Sequence, residues 1–426
     1  MRRGGTILDA AVALCYVAFV FAGVYKSAKY LEWVPIDLTL LLGVATVGFS
    51  ALLVVLGRLE LSLRAVVICI LFGIFAGYAV LSGLWSPSSE YYVSKSFRLV
   101  AVTGLALGLG ATVIATSSRR LRYAGFATVG VALVTALEIL YHYQQAGGDG
   151  VLEPFGTNYL ITGRAVGMGV VLAVGYLVLS RDDRALTAGA LAVIPVMGYA
   201  LLVSGARGPT VAVAGAVGVL LLAGVWTGRL PNGRIALVGY GAGGLVSLIG
   251  LVTVAGQLRG IRRILALTDG PGRSVGLRLG YWKGTIDALH LRMLPFGEGL
   301  GAWPVLIDPG ADTRYYPHNI VFEVLFELGL VGLVLLGALL GSAVLALALD
   351  WREHGGATHL ALGALFAYML ANVMVTGDLN DNRFFFAIIG VMAYAVGDRT
   401  LKPDLIGARG GWLSVLPSLS SETRRE

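Results

Sequence analysis

Long apolar stretches separated by short polar or charged segments run along most of this chain. A helix needs about 20 apolar residues to cross a hydrocarbon layer of roughly 30 Å. Twelve stretches approach or reach that length, and they are residues 6–24, 36–57, 65–84, 98–116, 122–143, 164–180, 185–204, 209–226, 234–255, 318–348, 357–376 and 383–398. The pattern predicts an all-α integral membrane protein with about twelve transmembrane helices.

Composition supports this class of protein. Hydrophobic residues make up 57% of the 426 positions and charged residues only 13%, whereas about 25% of the residues of a soluble globular protein are charged. The 60 glycines fit membrane helices, in which glycine is more frequent than in soluble helices. Cys15 and Cys69 both fall in apolar stretches, so neither a disulfide framework nor a zinc site is predicted.

The basic residues indicate the orientation of the helices. If both termini are cytoplasmic, the cytoplasmic segments contain seventeen Lys and Arg and the short outer loops contain seven. Cytoplasmic loops carry the excess of positive charge in membrane proteins, so this bias predicts that both termini lie inside. The net charge of +7 is then a topology signal, and no nucleic-acid partner is predicted.

One outer segment, residues 256–317, is far longer than the other loops. After Pro271-Gly272-Arg273, Ser274 is a candidate helix cap, and apolar residues follow at intervals of three and four up to Leu289. We therefore expect an amphipathic helix on the outer membrane surface. We expect the chain to divide into nine membrane helices in 1–255, a large and partly helical periplasmic loop in 256–317, three membrane helices in 318–398 and a cytoplasmic tail in 399–426.

Two arginines lie where the outer membrane surface could bind an anion. Arg207 stands in Ser204-Gly205-Ala206-Arg207-Gly208, which joins two apolar stretches with almost no loop, and Arg278 lies in the predicted amphipathic helix. A guanidinium can hold phosphate oxygens through two parallel hydrogen bonds, so the pair would suit a lipid diphosphate. The alternatives are that Arg207 only extends to the interface and that Arg278 belongs to a solvated helix face.

A single histidine stands at the start of the tenth apolar stretch, within Tyr315-Tyr316-Pro317-His318-Asn319. A helix that begins near His318 would place the imidazole at its amino terminus, where the helix dipole disfavours the protonated form. A neutral imidazole is what a general base requires, so His318 is the candidate catalytic residue. The alternative is a structural histidine.

Asn319, Glu323 and Glu327 follow on one stripe of the same predicted helix, at intervals of four residues. Carboxylates inside a membrane are costly, so both acids should have buried partners, and arginines from the outer loops are the candidates. They are possible contributors to a site, although hydrogen-bonded structural acids would give the same pattern.

These residues resemble those of a known family. His318-Asn319, nine residues and then Gly329-Leu330-Val331-Gly332 resemble the H-N-x9-G-x-x-G signature of the O-antigen ligase and O-antigen polymerase superfamily of membrane glycosyltransferases. Residues 204–208 are similar to its S-x-x-R-G element. Residues 278–301 resemble its pattern of Arg, an aromatic-rich helix and P-x-G-x-G, and residues 155–158 resemble its G-x-x-N.

The resemblance, which covers about residues 150–400, implies a C-type glycosyltransferase fold in a bacterial inner membrane, with the active site facing the periplasm or exterior. A glycan on undecaprenyl diphosphate would be transferred with inversion to the hydroxyl of a lipid or glycan acceptor. The resemblance implies that His318 deprotonates this hydroxyl and that Arg207 and Arg278 hold the diphosphate. Neither a metal ion nor another cofactor is expected, because the arginines would do the work of a divalent ion.

Five further residues are weaker candidates. Asn158 and Arg164 could add contacts to the donor, although Arg164 could equally anchor its helix. Tyr281, Trp282 and Lys283 could line a sugar groove, although an interfacial aromatic belt is also expected there.

Three functions remain open at this stage. A ligase would deliver a completed glycan to an acceptor such as lipid A-core, and the motif spacing favours it. A polymerase would use the same donor and a second carrier-linked glycan as acceptor, and the absence of Thr-Thr after Gly332 weakens the preference for a ligase. A polytopic transporter or flippase would also have many helices and intramembrane charges, but the charged candidates lie at helix ends and no repeat is evident.

Overall fold

The computed structural model describes residues 2–146, 152–179, 184–228, 273–307, 312–380 and 382–394, and within these ranges all regular structure is helical. Besides single helical turns, the helices are α1 (Arg2–Tyr25), α2 (Leu38–Val55), α3 (Leu63–Leu81), α4 (Glu90–Ile114), α5 (Ser118–Gln145), α6 (Tyr159–Leu179), α7 (Arg184–Ser204), α8 (Arg207–Trp226), α9 (Arg273–Ala288), α10 (Ala302–Ile307), α11 (Ile320–His354), α12 (Ala357–Val373) and α13 (Arg383–Val391).

Nine of the described helices, α1 to α8 and α11, are long and apolar enough to cross a membrane, and α12 is a shorter apolar helix. The protein is therefore an all-α integral membrane protein, as the sequence predicts. The stretch 234–255 lies outside the described residues, so the number twelve stays a prediction. The described part of the last predicted stretch, 383–398, contains the nine-residue helix α13.

Two predicted boundaries need correction. The fourth membrane helix begins at Glu90 rather than at residue 98, because the buried charge of Lys95 interrupts the apolar pattern but not the helix. The described part of α9 starts at Arg273, so Ser274 lies within the helix rather than before it. The amphipathic helix itself is present where the periodicity predicts it.

Helix α6 lies at the centre of the bundle, where it packs against α5, α7, α8 and α12. Glycines make this close packing possible. A Cβ added at Gly167 would lie 2.1 Å from the hydroxyl oxygen of Tyr368, and one added at Gly169 would lie 2.3 Å from the Cβ of Ala132. Small residues at helix contacts are the usual means of close approach in membrane proteins.

Helix α11 is interrupted at Gly329, whose φ of 65° and ψ of −162° are not helical. In an unbroken helix the amides of residues 330 and 331 would donate to the carbonyl groups of residues 326 and 327. Here the Leu330 and Val331 amides donate instead to Leu294 and Pro295, at 2.7 and 3.1 Å.

The segment 294–299 packs against this interruption. Its amides also donate hydrogen bonds to the two carbonyl groups that the interruption leaves without their helical partners. The Glu298 amide donates to Phe326 O at 2.9 Å, and the Gly299 amide donates to Glu327 O at 2.8 Å. All four backbone groups that lose a helical hydrogen bond at Gly329 therefore have a new partner, as an apolar environment requires. The P-x-G-x-G segment and the glycine of the H-N-x9-G motif thus form one structural unit.

Candidate functional site

His318 lies directly before α11, at the end of the bundle that also contains Tyr159 and Arg207, which we call the site end. Asn319 is the N-cap of α11, because its Oδ1 accepts hydrogen bonds from the amides of Val321 and Phe322 at 2.9 and 3.1 Å. Its Nδ2 donates to Met374 O at 3.0 Å. Asn319 therefore fixes the start of the helix to the end of α12.

The backbone of His318 is left-handed, with a φ of 59°, which is uncommon for a residue other than glycine. This conformation turns the imidazole out of the direction of α11 and places it between two tyrosines. Its ring is stacked on that of Tyr281 with centroids 6.1 Å apart, and it lies 4.5 Å from the Tyr316 ring. The Trp282 indole donates to Pro317 O at 3.0 Å and so ties α9 to the same loop.

The imidazole of His318 is held in its neutral form. Burial and, to a smaller extent, the nearby positive charge of Arg278 lower the pKa of His318 to about 4, against an opposing effect of Asp378. Its Nδ1 is buried and has no hydrogen-bond partner among the described residues. A neutral imidazole with an uncommitted nitrogen can accept a proton, as a general base must.

Arg278 is half-buried on α9, and its nearest electrostatic neighbours besides His318 are Tyr159 and Tyr316. Burial lowers the pKa of this guanidinium somewhat from its ordinary value, although arginine stays charged in proteins. The structure therefore places Arg278, Tyr281 and Trp282 of α9 around the His318 loop. Lys283 on the same helix is exposed.

Arg207 is the first residue of α8 and follows a tight turn from α7, as predicted. Gly205 in this turn has a φ of 73°, and a Cβ added at Gly163 of α6 would lie 2.6 Å from the Cβ of Ala206. A Cβ added at Gly208 would lie 3.5 Å from a methyl group of Val375. The Arg207 turn thus packs beside the same end of α12 that Asn319 holds.

Arg164 and Asn158 have structural contacts. Arg164 is almost completely buried in α6, its Nη1 donates to Asn382 Oδ1 at 3.2 Å, and its carbonyl oxygen accepts a hydrogen bond from Tyr368. Asn158 is exposed and caps α6 by accepting a hydrogen bond from the Leu160 amide at 2.8 Å. Asn158 lies next to Tyr159, the electrostatic neighbour of Arg278.

A buried charge network lies one turn below His318. The Nζ of Lys95 on α4 lies 2.6 Å from a carboxylate oxygen of Glu323 and 2.6 Å from one of Glu327, and all three side chains are buried. Glu323 also accepts from the Leu379 amide at 3.0 Å. Both acids have buried partners, as predicted, but the ion-pair partner is a lysine of a membrane helix rather than an arginine of an outer loop.

Asp378 extends this network towards the surface. The carboxylate accepts a hydrogen bond from the Tyr91 hydroxyl at 2.9 Å, and the Nε of Arg314 lies 3.1 Å from it. Asp378 therefore connects the loop before His318 to α4.

Asp312, a residue that the sequence analysis did not single out, caps the start of α4. Its carboxylate accepts from the Ser88 hydroxyl at 2.6 Å and from the amides of Ser89 and Glu90 at 2.8 Å. Although burial acts in the opposite direction, these hydrogen bonds lower the pKa of Asp312 to about 2. The cap and the Arg314 contact together hold the described segment 312–318 against α4.

Among the described residues, one cluster of side chains has the composition of a metal site, namely Asp350, Glu353 and His354. It lies at the other end of the bundle from His318, at the end of α11. Asp350 is already bound by Arg64 at 2.9 Å and His359 at 2.5 Å. The cluster is therefore separate from the candidate active site.

Comparison with known families identifies part of the chain. Residues 191–337 match the family model described as O-antigen ligase, Wzy_C. The matched range contains Arg207, Arg278, His318 and the interruption at Gly329. No curated protein matches the chain. The match confirms the predicted resemblance to the O-antigen ligase superfamily over residues 191–337.

Proposed function

We propose that this chain, whose residues 191–337 match the O-antigen ligase domain, transfers a glycan from undecaprenyl diphosphate to an acceptor hydroxyl. The family match supports a glycosyltransferase-like ligase or polymerase of a bacterial inner membrane. The observation that carries the specific proposal is the neutral imidazole of His318 beside Arg278. The orientation with both termini cytoplasmic and the site facing the periplasm or exterior rests on the charge bias of the loops.

In the proposed reaction, the acceptor oxygen attacks the anomeric carbon of the donor while His318 takes the hydroxyl proton. The bond between that carbon and the diphosphate oxygen breaks, and the diphosphate leaves with the electron pair. Attack from the face opposite the leaving group inverts the anomeric centre. A positioned general base contributes about 10² to 10⁴ in rate. The pKa of about 4 supports this role, because the proton-accepting form predominates at neutral pH.

Arg278 and Arg207 are proposed to bind the diphosphate and to stabilise the charge that it gains on leaving. Arg278 lies close enough to His318 to influence its protonation, so a phosphate held by Arg278 would be near the base. Arg207 precedes Gly208, where an added Cβ would lie 3.5 Å from a methyl group of Val375, just beyond the end of α12. We propose that the arginines do this without a divalent ion.

Tyr281 and Trp282 would form the wall on which donor or acceptor sugar rings rest. Their rings contact His318 and Phe322, so a sugar that covers them would lie against the base. We assign Glu323, Glu327 and Asn319 a positioning role, because each is engaged by other parts of the protein. Arg164 is assigned to the support of α6, and Asn158 to the start of that helix.

Ligase is our preferred activity, with lipid A-core as an example of the acceptor, and polymerase is the alternative with the same donor. The test is mass analysis of the carrier-linked glycans that accumulate when the chromosomal copy carries His318→Ala. Long glycans left on the carrier support a ligase, because polymerisation proceeds without delivery. Single repeat units support a polymerase. An unchanged glycan pool contradicts both activities and favours a transporter.

A further inference from the structure

A cavity of about 820 Å³ lies among α1, α5, α6, α12 and α13, away from the candidate active site. Its size falls in the range of ligand-binding cavities, roughly 300 to 1,000 Å³. Most of the described residues that line it are apolar, including Val17, Met168, Leu172, Leu365 and Ile388. The proposed reaction uses none of them.

The cavity has the depth of one membrane leaflet. On α5 its lining runs from Ser118 to Thr128, which at 1.5 Å per residue is about 15 Å, half the thickness of a hydrocarbon core. The rings of Phe21 and Phe384, with centroids 4.6 Å apart, lie at its deep end. The Thr128 hydroxyl in the interior donates to its own helix, so it needs no polar ligand.

The opposite end of the cavity is polar. Arg122, Ser118 and Thr358 are lining residues there, and all three are exposed. Arg122 makes no hydrogen bond or ion pair with any described residue, although it is an electrostatic neighbour of Tyr176 and Tyr394. A Cβ added at Gly125, one turn along α5, would lie 3.5 Å from the Tyr176 hydroxyl.

This polar mouth lies at the end of the bundle opposite His318, which the charge bias predicts to be cytoplasmic. A cation at the mouth of an apolar cavity one leaflet deep matches an anionic glycerophospholipid, with its phosphate outside and an acyl chain inside. Basic pockets between membrane helices at the cytoplasmic side bind such head groups. The lipid-linked donor would instead place its diphosphate at the site end.

We propose that this cavity is a binding site for an anionic phospholipid of the leaflet opposite the active site. Arg122 binds the phosphate, the hydroxyl groups of Ser118, Thr358 and Tyr176 surround the head group, and one acyl chain fills the apolar cavity. The site is independent of the glycosyl transfer proposed above.

The test is native mass spectrometry of the delipidated full-length protein, titrated with phosphatidylglycerol and phosphatidylethanolamine of identical acyl chains. The wild type should prefer phosphatidylglycerol. Arg122→Gln should weaken phosphatidylglycerol binding about fivefold, the effect of one basic residue near a membrane surface, and weaken phosphatidylethanolamine binding less, because the ammonium group of that lipid already offsets its phosphate charge. Arg352→Gln is the matched control, because Arg352 is an exposed arginine at the same end of the bundle and does not line the cavity.

A second variant tests the acyl chain. Ala361→Phe places a ring in the cavity and should weaken binding of long-chain phosphatidylglycerol while Arg122 is intact. The unfolding temperature of each variant is measured to exclude misfolded protein. Equal binding of the two lipids by the wild type, equal phosphatidylglycerol binding by wild type and Arg122→Gln, or an equal loss in Arg352→Gln would overturn the proposal. So would absence of lipid binding, which would mean that another part of the chain fills the cavity.

Discussion

The imidazole of His318 is stacked on the phenol ring of Tyr281, with an interplanar angle of 23° and centroids 6.1 Å apart. Tyr281 also hydrogen-bonds through its hydroxyl to Tyr315 and packs edge-on against Trp303, which is completely buried. The orientation of the candidate base is therefore fixed through α9 to the buried cluster around Trp303. This relationship explains why an aromatic helix accompanies the histidine.

Removing the ring of Tyr281 should slow transfer by allowing the imidazole to leave its orientation. Tyr281→Ala is expected to lower kcat by about two- to tenfold, since aromatic contacts of this kind contribute about 0.5–1.5 kcal/mol. Tyr281→Phe keeps the ring contact and loses only the hydrogen bond to Tyr315, so it should retain more activity. Steady-state rates of the two variants are compared, and equal rates in Tyr281→Ala and wild type would contradict an orienting role.

The pH dependence of transfer should report the electrostatic effect of Arg278 on His318. With a pKa of about 4, His318 stays neutral down to pH 5, so kcat/KM should fall only below that pH. Arg278→Gln removes a positive charge that lowers the pKa, so the acidic limb should move to higher pH, towards the ordinary value of 6.5. Arg292→Gln, which removes an exposed arginine of the same outer segment, is the control. An unmoved limb in Arg278→Gln would show that this charge does not act on the base.

Gly329 should tolerate no side chain. An added Cβ would lie 2.5 Å from the backbone nitrogen of Gly297, and the φ of 65° with ψ of −162° is essentially confined to glycine. Gly329→Ala is expected to lower the unfolding temperature in detergent and to abolish transfer. Gly337→Ala on the same helix has open space around the added methyl group and should be neutral or stabilising. Equal unfolding temperatures of Gly329→Ala and Gly337→Ala would show that the contact between segment 294–299 and the interrupted helix does not contribute to stability.

Lys95 should be required for the stability of the fold, because it neutralises two carboxylates that have no access to water. Lys95→Met leaves Glu323 and Glu327 buried without their cation, and such a loss costs about 3–5 kcal/mol. Thermal unfolding measures the effect, with Lys29→Met as the control because Lys29 is exposed. Combining Lys95→Met with Glu323→Gln and Glu327→Gln should restore most of the stability. A triple variant as unstable as Lys95→Met alone would argue against charge balance as the role of this lysine.

Much of the fold could be predicted because apolar length and helical periodicity are local properties. The tight turn before Arg207, the helix that carries Arg278 and the capped helix after His318 all lie where the sequence predicts them. The interruption at Gly329 could not be predicted, because it depends on a segment that is distant in sequence and replaces the helical hydrogen bonds.

The buried network was missed for a related reason. Lys95 lies before residue 98, where the apolar pattern predicts the start of the fourth helix, and a lone lysine gives no indication of two carboxylates more than 220 residues away. One signal was available: Glu323 and Glu327 share a stripe and require a buried cation. Which basic residue supplies it depends on the packing of α4 against α11.

The most direct test of the account is the initial rate of glycan transfer by purified protein in liposomes, with wild type compared to His318→Gln. The glutamine variant keeps the polar character of the side chain and should retain the wild-type unfolding temperature. The account predicts a rate lower by about 10² to 10⁴, with carrier-linked donor still bound. A His318→Gln rate within twofold of wild type would contradict the assignment of His318 as the base.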